Sequence, residues 1–357
     1  MMSFHHWPRH VAVLSEDRGF ALELAQIIAD GFRSHDCLVD VLSRTESWKR
    51  HYDFVLGYGP HTREGSLLET ALRLASYPKE KRPFFYWWFT EAVSKPGLPP
   101  CLVRFASGLQ TAGNLYLTRH PRAHTRLWAR LLDRFFLGRH FRLRIIGELH
   151  HFHYRGLLSG LAVTAEGKAA QLRRHGFEPV VAPVGYHPAL HGRDLGLQRD
   201  IDVGFLGRIR TKRRLRLLQQ VERDLEKRGI KVTIPSAEVD GEERTGFLNR
   251  AKIVLNIFQN SQDFVGMRFM YCAANKALIV SEPPIDREPF VPGRHIVAAP
   301  VDGLAQAIEY YLSAEKERQE IVERAYRLVS QELTIHEMVG RILNHSRQML
   351  RRRARAE

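Results

Sequence analysis

Two short stretches carry residue types and spacing that could hold an anion. In DFVGMRFMYCAANKALIV, residues 263–280, a glycine-containing loop opens a helix that runs on into an apolar strand. Gly266 allows close approach of backbone to a ligand, and the N–H groups at the start of a helix beginning at Met267 offer donors and partial positive charge to phosphate oxygens. Arg268 adds a full charge at the same end, so the chemistry predicted is the holding of a diphosphate. A plain strand-to-helix loop with one glycine has the same spacing, and the pattern alone leaves both readings open. The second stretch is DVGFLGRI, residues 202–209, in which Gly207 and Arg208 close an apolar run and Arg210, Lys212, Arg213 and Arg214 follow. This basic cluster either supports the same anionic ligand or is a solvated helix start with surplus charge, a reading that suits Arg210 and Arg214 equally well.

Such loops need a rigid frame, and the rest of the chain supplies one. VAVL at 11–14 is followed by a loop with Gly19 and then by FALELAQIIADGF, whose apolar residues recur at helical spacing, which reads as strand, loop and helix. Apolar runs return at LVDVL (38–42), FVLGY (54–58), FFYWWF (84–89), LAVTAEG (161–167) and VVAPVGYHP (180–188). Beyond a linker at 187–200, DVGFLGRI, VTI (232–234), IVLNIF (253–258), ALIV (277–280) and HIVAA (295–299) read as five strands, with helical stretches near 212–228, 242–251, 266–275 and 302–314. Strands alternating with helices predict an α/β protein with parallel sheets in two doubly wound, Rossmann-like domains. The expected boundaries are an N-terminal domain over 1–187, a C-terminal domain over 188–335, and a helix with a basic tail over 336–357. In a doubly wound sheet the ligand crevice lies at the carboxyl ends of the strands, which is where both basic stretches fall.

Composition is consistent with that frame. The length of 357 residues suits two domains of roughly 150 residues each. Hydrophobic residues at 44% and charged residues at 26% are ordinary for a globular chain and exclude disorder or fibre. Lys and Arg number 54 against 39 Asp and Glu, and the resulting charge of +15 favours an anionic partner. Nucleic acid fits that charge but is the least expected partner, because no reader motif accompanies it. Cys37, Cys101 and Cys272 are odd in number and widely spaced, which predicts neither a disulfide framework nor a CxxC metal site and points to a reducing, cytoplasmic setting. The N-terminal MMSFHHWPRH has no signal-peptide core, and no window reaches about 18 uncharged apolar residues, so neither export nor a membrane span is expected. Leu127, Trp128, Leu131, Leu132, Phe135 and Phe136 stand at helical spacing among arginines; this reads first as a buried domain face. The other reading, aided by the RRRAR tail, is peripheral attachment to an anionic membrane surface at its inner face. His150, His151 and His153 lack both i, i+4 spacing and a CxxC partner, and read as an exposed loop rather than a metal site.

Residues 263–280 resemble the signature of the large retaining group of GT-B glycosyltransferases, the glycosyl transferases group 1, in which an acidic residue, a short Gly-containing loop and a second acidic residue open the helix. Asp263 stands at the first acidic position, Gly266 at the second glycine of the loop, and Tyr271 at the second acidic position. Arg268 in the loop is similar to the CgeB-like members. EPPIDREPFVPGRHIVAAPVDGLAQAIEYYL (282–312), AKIVLNIF (251–258) and DVGFLGRI extend the likeness over most of 200–335, whereas the N-terminal half matches in general architecture only. The resemblance implies a GT-B fold and a metal-independent, retaining transferase with no cofactor, moving a sugar from a nucleoside diphosphate donor to a glycan, lipid-linked or protein acceptor. It implies further that Arg208 and either Lys212 or Arg213 hold the donor diphosphate, with backbone at Gly207, Gly266 and Met267 beside it. Arg208 and Arg268 would stabilise the leaving group, and Asp263 would meet the sugar hydroxyls.

Two departures from the family pattern matter. Tyr271 replaces the carboxylate that holds the donor ribose, and a phenol lacks a two-oxygen clamp. Lys276 replaces a glycine of the small-residue stretch. Both raise a second reading, a non-catalytic relative that binds a nucleotide sugar or glycan. An inverting enzyme would need a base from the N-terminal domain, for which Glu16, His61 and Glu91 are the residues at strand ends. Asp200 and Asp202 form the D-x-D metal pattern of the other main glycosyltransferase fold, but they are expected far from the ligand-facing end of their strand.

Overall fold

The computed structural model describes residues 7–15, 20–43, 48, 50–59, 66–90, 99–119, 141–235, 239–259, 266–286 and 288–356. The chain divides into two compact units, residues 1–182 with 339–357, and residues 183–338.

In the first unit β1 (His10–Ser15), β2 (Leu38–Ser43), β3 (Phe54–Gly59), β4 (Phe84–Phe89), β5 (Gly160–Val163) and β6 (Val180–Val181) form a parallel sheet in the order β2-β1-β3-β4-β5-β6. Parallel neighbours need crossovers, and α1 (Phe20–Arg33), α2 (Ser66–Ala75), α3 (Pro100–Arg119), α4 (Phe141–Tyr154) and α5 (Glu166–Arg173) lie between the strands. A sheet covered on both faces explains why FFYWWF shows no alternation: all six residues of β4 are buried. The buried Trp88 indole keeps a partner by donating to the Ala182 carbonyl at 2.9 Å.

Helix α4 overturns the expectation of an exposed loop around the three histidines. Ile146, Leu149 and Phe152 recur at helical spacing and are buried in the core, which seats the helix on the sheet. His150 packs on Phe177 with ring centroids 4.6 Å apart, and burial, aided by nearby Arg104, pulls its pKa down to about 4. The apolar and basic stripe at 127–136 lies outside the described residues, as do Glu16, His61 and Glu91. Among the described residues no helix is long and apolar enough to cross a membrane.

In the second unit β7 (Ile201–Gly204), β8 (Val232–Thr233), β9 (Ala251–Asn256), β10 (Leu278–Ser281) and β11 (Val297–Ala298) form a parallel sheet in the order β11-β10-β9-β7-β8. The short α6 (Pro188–His191) opens the expected linker, and residues 192–200 have no regular structure. Helices α7 (Lys212–Glu226), α8 (Gly241–Arg250), α9 (Met267–Ala274), α10 (Leu304–Ser313) and α11 (Glu315–Arg327) surround the sheet. One apolar layer holds Phe269, Met270, Phe290 and Val329, and another holds Phe205, Leu218, Val221 and Ile308. A π-helical turn at Leu328–Glu332 leads to α12 (Ile335–Ala356), whose residues from 339 onward belong to the first unit. There His345 Nδ1 lies 2.7 Å from the Tyr86 hydroxyl, and Arg347 Nε donates to the Trp7 carbonyl at 3.1 Å.

Candidate functional site

In the second sheet the chain leaves β7 toward β8 on one side and leaves β9 toward β10 on the other. The loops after β7 and β9 therefore part at the carboxyl edge, which is the switch point at which doubly wound sheets bind ligands. Hydrogen bonds tie the two loops together. Thr211 Oγ1 donates to the Gln259 carbonyl at 3.0 Å, and Gln259 Nε2 donates to the Arg208 carbonyl. Thr211 is also the N-cap of α7, its hydroxyl oxygen accepting from the Arg214 amide at 3.2 Å.

Two of the residues expected to hold an anion meet at this point. Gly207 adopts φ +133°, which side chains rarely take, and a β-carbon there would collide with Arg268 Nη2. Arg268, in the first turn of α9, lies with its guanidinium carbon 5.8 Å from the Phe205 ring centroid and donates through Nη1 to Asn256 Oδ1 at the end of β9. Gly266 is the N-cap residue of α9; among the described residues no side chain caps that helix, and the Phe269 amide donates back to the Gly266 carbonyl at 3.0 Å. Arg208 is exposed on the loop between β7 and α7, and Lys212 is exposed at the first position of α7.

The structure separates the remaining cations by role. Arg213 donates to the Phe258 carbonyl at 2.9 Å and to Glu282 Oε2 at 3.2 Å, with its second nitrogen on the other carboxylate oxygen. Glu282 is buried and also accepts from the Phe258 amide at 2.8 Å, so this ion pair fastens α7 to the loops after β9 and β10. Of the two candidates for the same diphosphate role, Arg213 is therefore committed to a carboxylate, whereas Lys212 pairs with none among the described residues. Arg214 is buried, donates to the Arg208 carbonyl at 2.8 Å and stands 5.1 Å over the Phe205 ring; the solvated reading fits the exposed Arg210 and fails for Arg214. Asp263 lies outside the described residues.

The two departures from the family pattern have distinct surroundings. Tyr271 packs toward α6 and α8, with the Arg244 guanidinium carbon 4.1 Å from its ring centroid and the His191 ring centroid 5.5 Å away. His191 is fully buried, which pulls its pKa down to about 3 and leaves it neutral. Lys276 takes φ +53°, the left-handed turn after α9 that a glycine would enter without strain. Its ammonium pairs with Glu323 at 2.7 Å and Asp194 at 3.3 Å, and hydrogen bonding to Glu323, more than to Asp194, raises its pKa. Asp200 and Asp202 sit at the amino end of β7, paired with Arg250 at 2.6 Å and Lys252 at 2.6 Å, away from the switch point.

Asn256, Ser281 and Glu282 complete the arrangement, and no motif in the sequence marks them. Their signal there is a polar residue at the carboxyl end of an apolar run, in LNIFQN and in IVSEPP.

Solved structures of similar fold accompany this geometry. A crystal structure of a mutant of S. aureus TarM in complex with fondaparinux, α-GlcNAc-glycerol and UDP aligns at a TM-score of 0.55 and 12% identity, over 82% of this chain and 55% of that one. HepE of Anabaena in complex with UDP and glucose aligns at 0.56 and 12% identity over 94% of this chain and 99% of that one. HepE with UDP-glucose aligns at 0.53 and 11% identity over 97% and 99%. The chain thus spans about half the length of TarM and has the fold of the GT-B glycosyltransferases. Residues 210–344, which span most of the second unit and the start of α12, match the family model described as glycosyl transferase-like. No curated protein matches the chain by sequence.

Proposed function

We propose that the protein is a glycosyltransferase that moves a sugar from a nucleoside diphosphate donor to an acceptor. The observation that carries this reading is the contact of Arg268 with the glycine turn at Gly207, on the switch point of the second sheet. Arg208, Lys212 and Arg268 supply positive charge for the departing diphosphate, and the start of α9 at Gly266 and Met267 supplies backbone donors. That much fixed charge supports transfer without a metal. The resemblance supports retention, in which the anomeric bond to the diphosphate breaks as the acceptor oxygen bonds to the same face and the acceptor proton passes to the departing phosphate oxygen. Asp263 is assigned to the sugar hydroxyls by the same resemblance. The complexes of TarM and HepE with UDP place uridine donors first among those to try. A thermal-shift screen against nucleoside diphosphate sugars, followed by an assay for released nucleoside diphosphate with glycan, lipid-linked and protein acceptors, tests the reading. Stabilisation by one donor and acceptor-dependent release are expected, and the absence of both would contradict it.

A second reading, a relative that binds a nucleotide sugar or glycan without turnover, draws on Tyr271 packed against Arg244 in place of a carboxylate. On that reading Tyr271→Glu creates turnover. On the first reading the new carboxylate is captured by Arg244 and turnover does not rise.

A further inference from the structure

The polar side chains at the strand ends of the second unit form a hydrogen-bonded run whose direction is fixed. Ser281 Oγ donates its single proton to the Glu282 carbonyl oxygen at 2.7 Å. Toward Asn256 the same oxygen therefore acts as acceptor, from Nδ2 at 2.7 Å. This turns the Asn256 amide so that Oδ1 is left for Arg268, whose Nη1 donates to it. Asn256 is 2% exposed and Ser281 0%, so water does not compete for these bonds. A guanidinium has donors and no acceptor, so an amide turned over by half a turn would oppose N–H to N–H and push Arg268 away.

On the donor-site reading given above, we propose that Ser281 is a positioning residue for the donor diphosphate: by locking the Asn256 amide in one orientation it aims Arg268 at the turn beside Gly207, without touching the ligand. Removing the hydroxyl frees the amide to flip and costs Arg268 its hydrogen bond to Asn256 Oδ1, although Arg268 itself is unchanged. A hydroxyl that merely satisfied its buried neighbours would alter stability alone, and its effect on nucleotide affinity would be independent of Arg268.

The test is a calorimetric series on the full chain, using whichever of UDP, GDP, ADP, CDP and TDP binds the wild type most tightly. Arg268→Ala and Ser281→Ala are each expected to weaken binding roughly tenfold, the scale of one charge-assisted hydrogen bond. The double variant is expected to bind no more weakly than Arg268→Ala alone. Ser281→Thr keeps the hydroxyl and is expected to keep the affinity even where the added methyl lowers the melting temperature. If Ser281→Ala does not fold, Asn256→Leu, close in shape and lacking the oxygen, should show the same loss. Wild-type affinity in Ser281→Ala, or a loss that adds to that of Arg268→Ala, overturns the positioning role and leaves the donor site standing. Binding unaffected by Arg268→Ala, or no binding of any diphosphate by the wild type, overturns the donor site and the positioning role with it.

Discussion

At Gly207 the backbone angle and a neighbouring guanidinium constrain the same atom, so Gly207→Ala meets two costs at once. Backbone strain of about 1–3 kcal/mol is expected from urea unfolding, together with weakened nucleotide binding as Arg268 is displaced. Unchanged affinity would show that the contact does not shape the site. Lys276 is the opposite case, a side chain held in a glycine conformation by two ion pairs. Relief of about 1 kcal/mol of strain in Lys276→Gly should nearly offset the loss of partly exposed pairs worth at most about 1 kcal/mol each. Lys276→Ala loses the pairs without the relief, and denaturant melts should rank it below both wild type and the glycine variant. The placement of Gly207, Arg208 and Arg268 at the carboxyl edge of the sheet was legible in the sequence, because they follow apolar runs where a doubly wound sheet opens. The commitment of Arg213 was not, because its partner Glu282 lies 69 positions away and only folding brings the two together.

At the scale of elements, the first turn of α7 carries Lys212, Arg213 and Arg214 and no acidic residue, against the preference of a helix start for negative charge. Thr211 offsets this by capping the helix and reaching Gln259 across the switch point. Thr211→Ala is expected to cost about 1–2 kcal/mol in unfolding free energy, and a cost near zero would mean the cap does not hold α7. Strand positions in both sheets followed from runs of apolar residues bounded by polar ones, and α9 from the glycine before its start. Helix α4 did not, because its polar histidines interrupt the apolar pattern set by the buried positions Ile146, Leu149 and Phe152. The spacing of those three was the signal.

At the scale of the molecule, burial lowers the pKa of several histidines. His191 is pulled down to about 3 and His150 to about 4, and His175, His295 and His345 are lowered as well, each chiefly by desolvation. A histidine whose folded pKa lies below the ordinary 6.5 gives its full stability above that value. As pH falls below it the unfolded chain takes up the proton first, so stability is lost toward the folded value. The melting temperature is expected to drop between neutral pH and pH of about 4, and His191→Gln to flatten part of that drop. A profile unchanged by the substitution would contradict it. The parallel sheets of both units were legible from alternation of element types. The passage of α12 into the first unit was not, since its contacts at Tyr86 and Trp7 join residues from the two ends of the chain. The most direct test of a donor site in the second unit is calorimetric titration of nucleoside diphosphates into wild type, Arg208→Ala and Arg268→Ala. Saturable binding of one nucleotide, lost or strongly weakened in both variants, is expected; binding indifferent to both arginines would contradict a diphosphate site at this switch point.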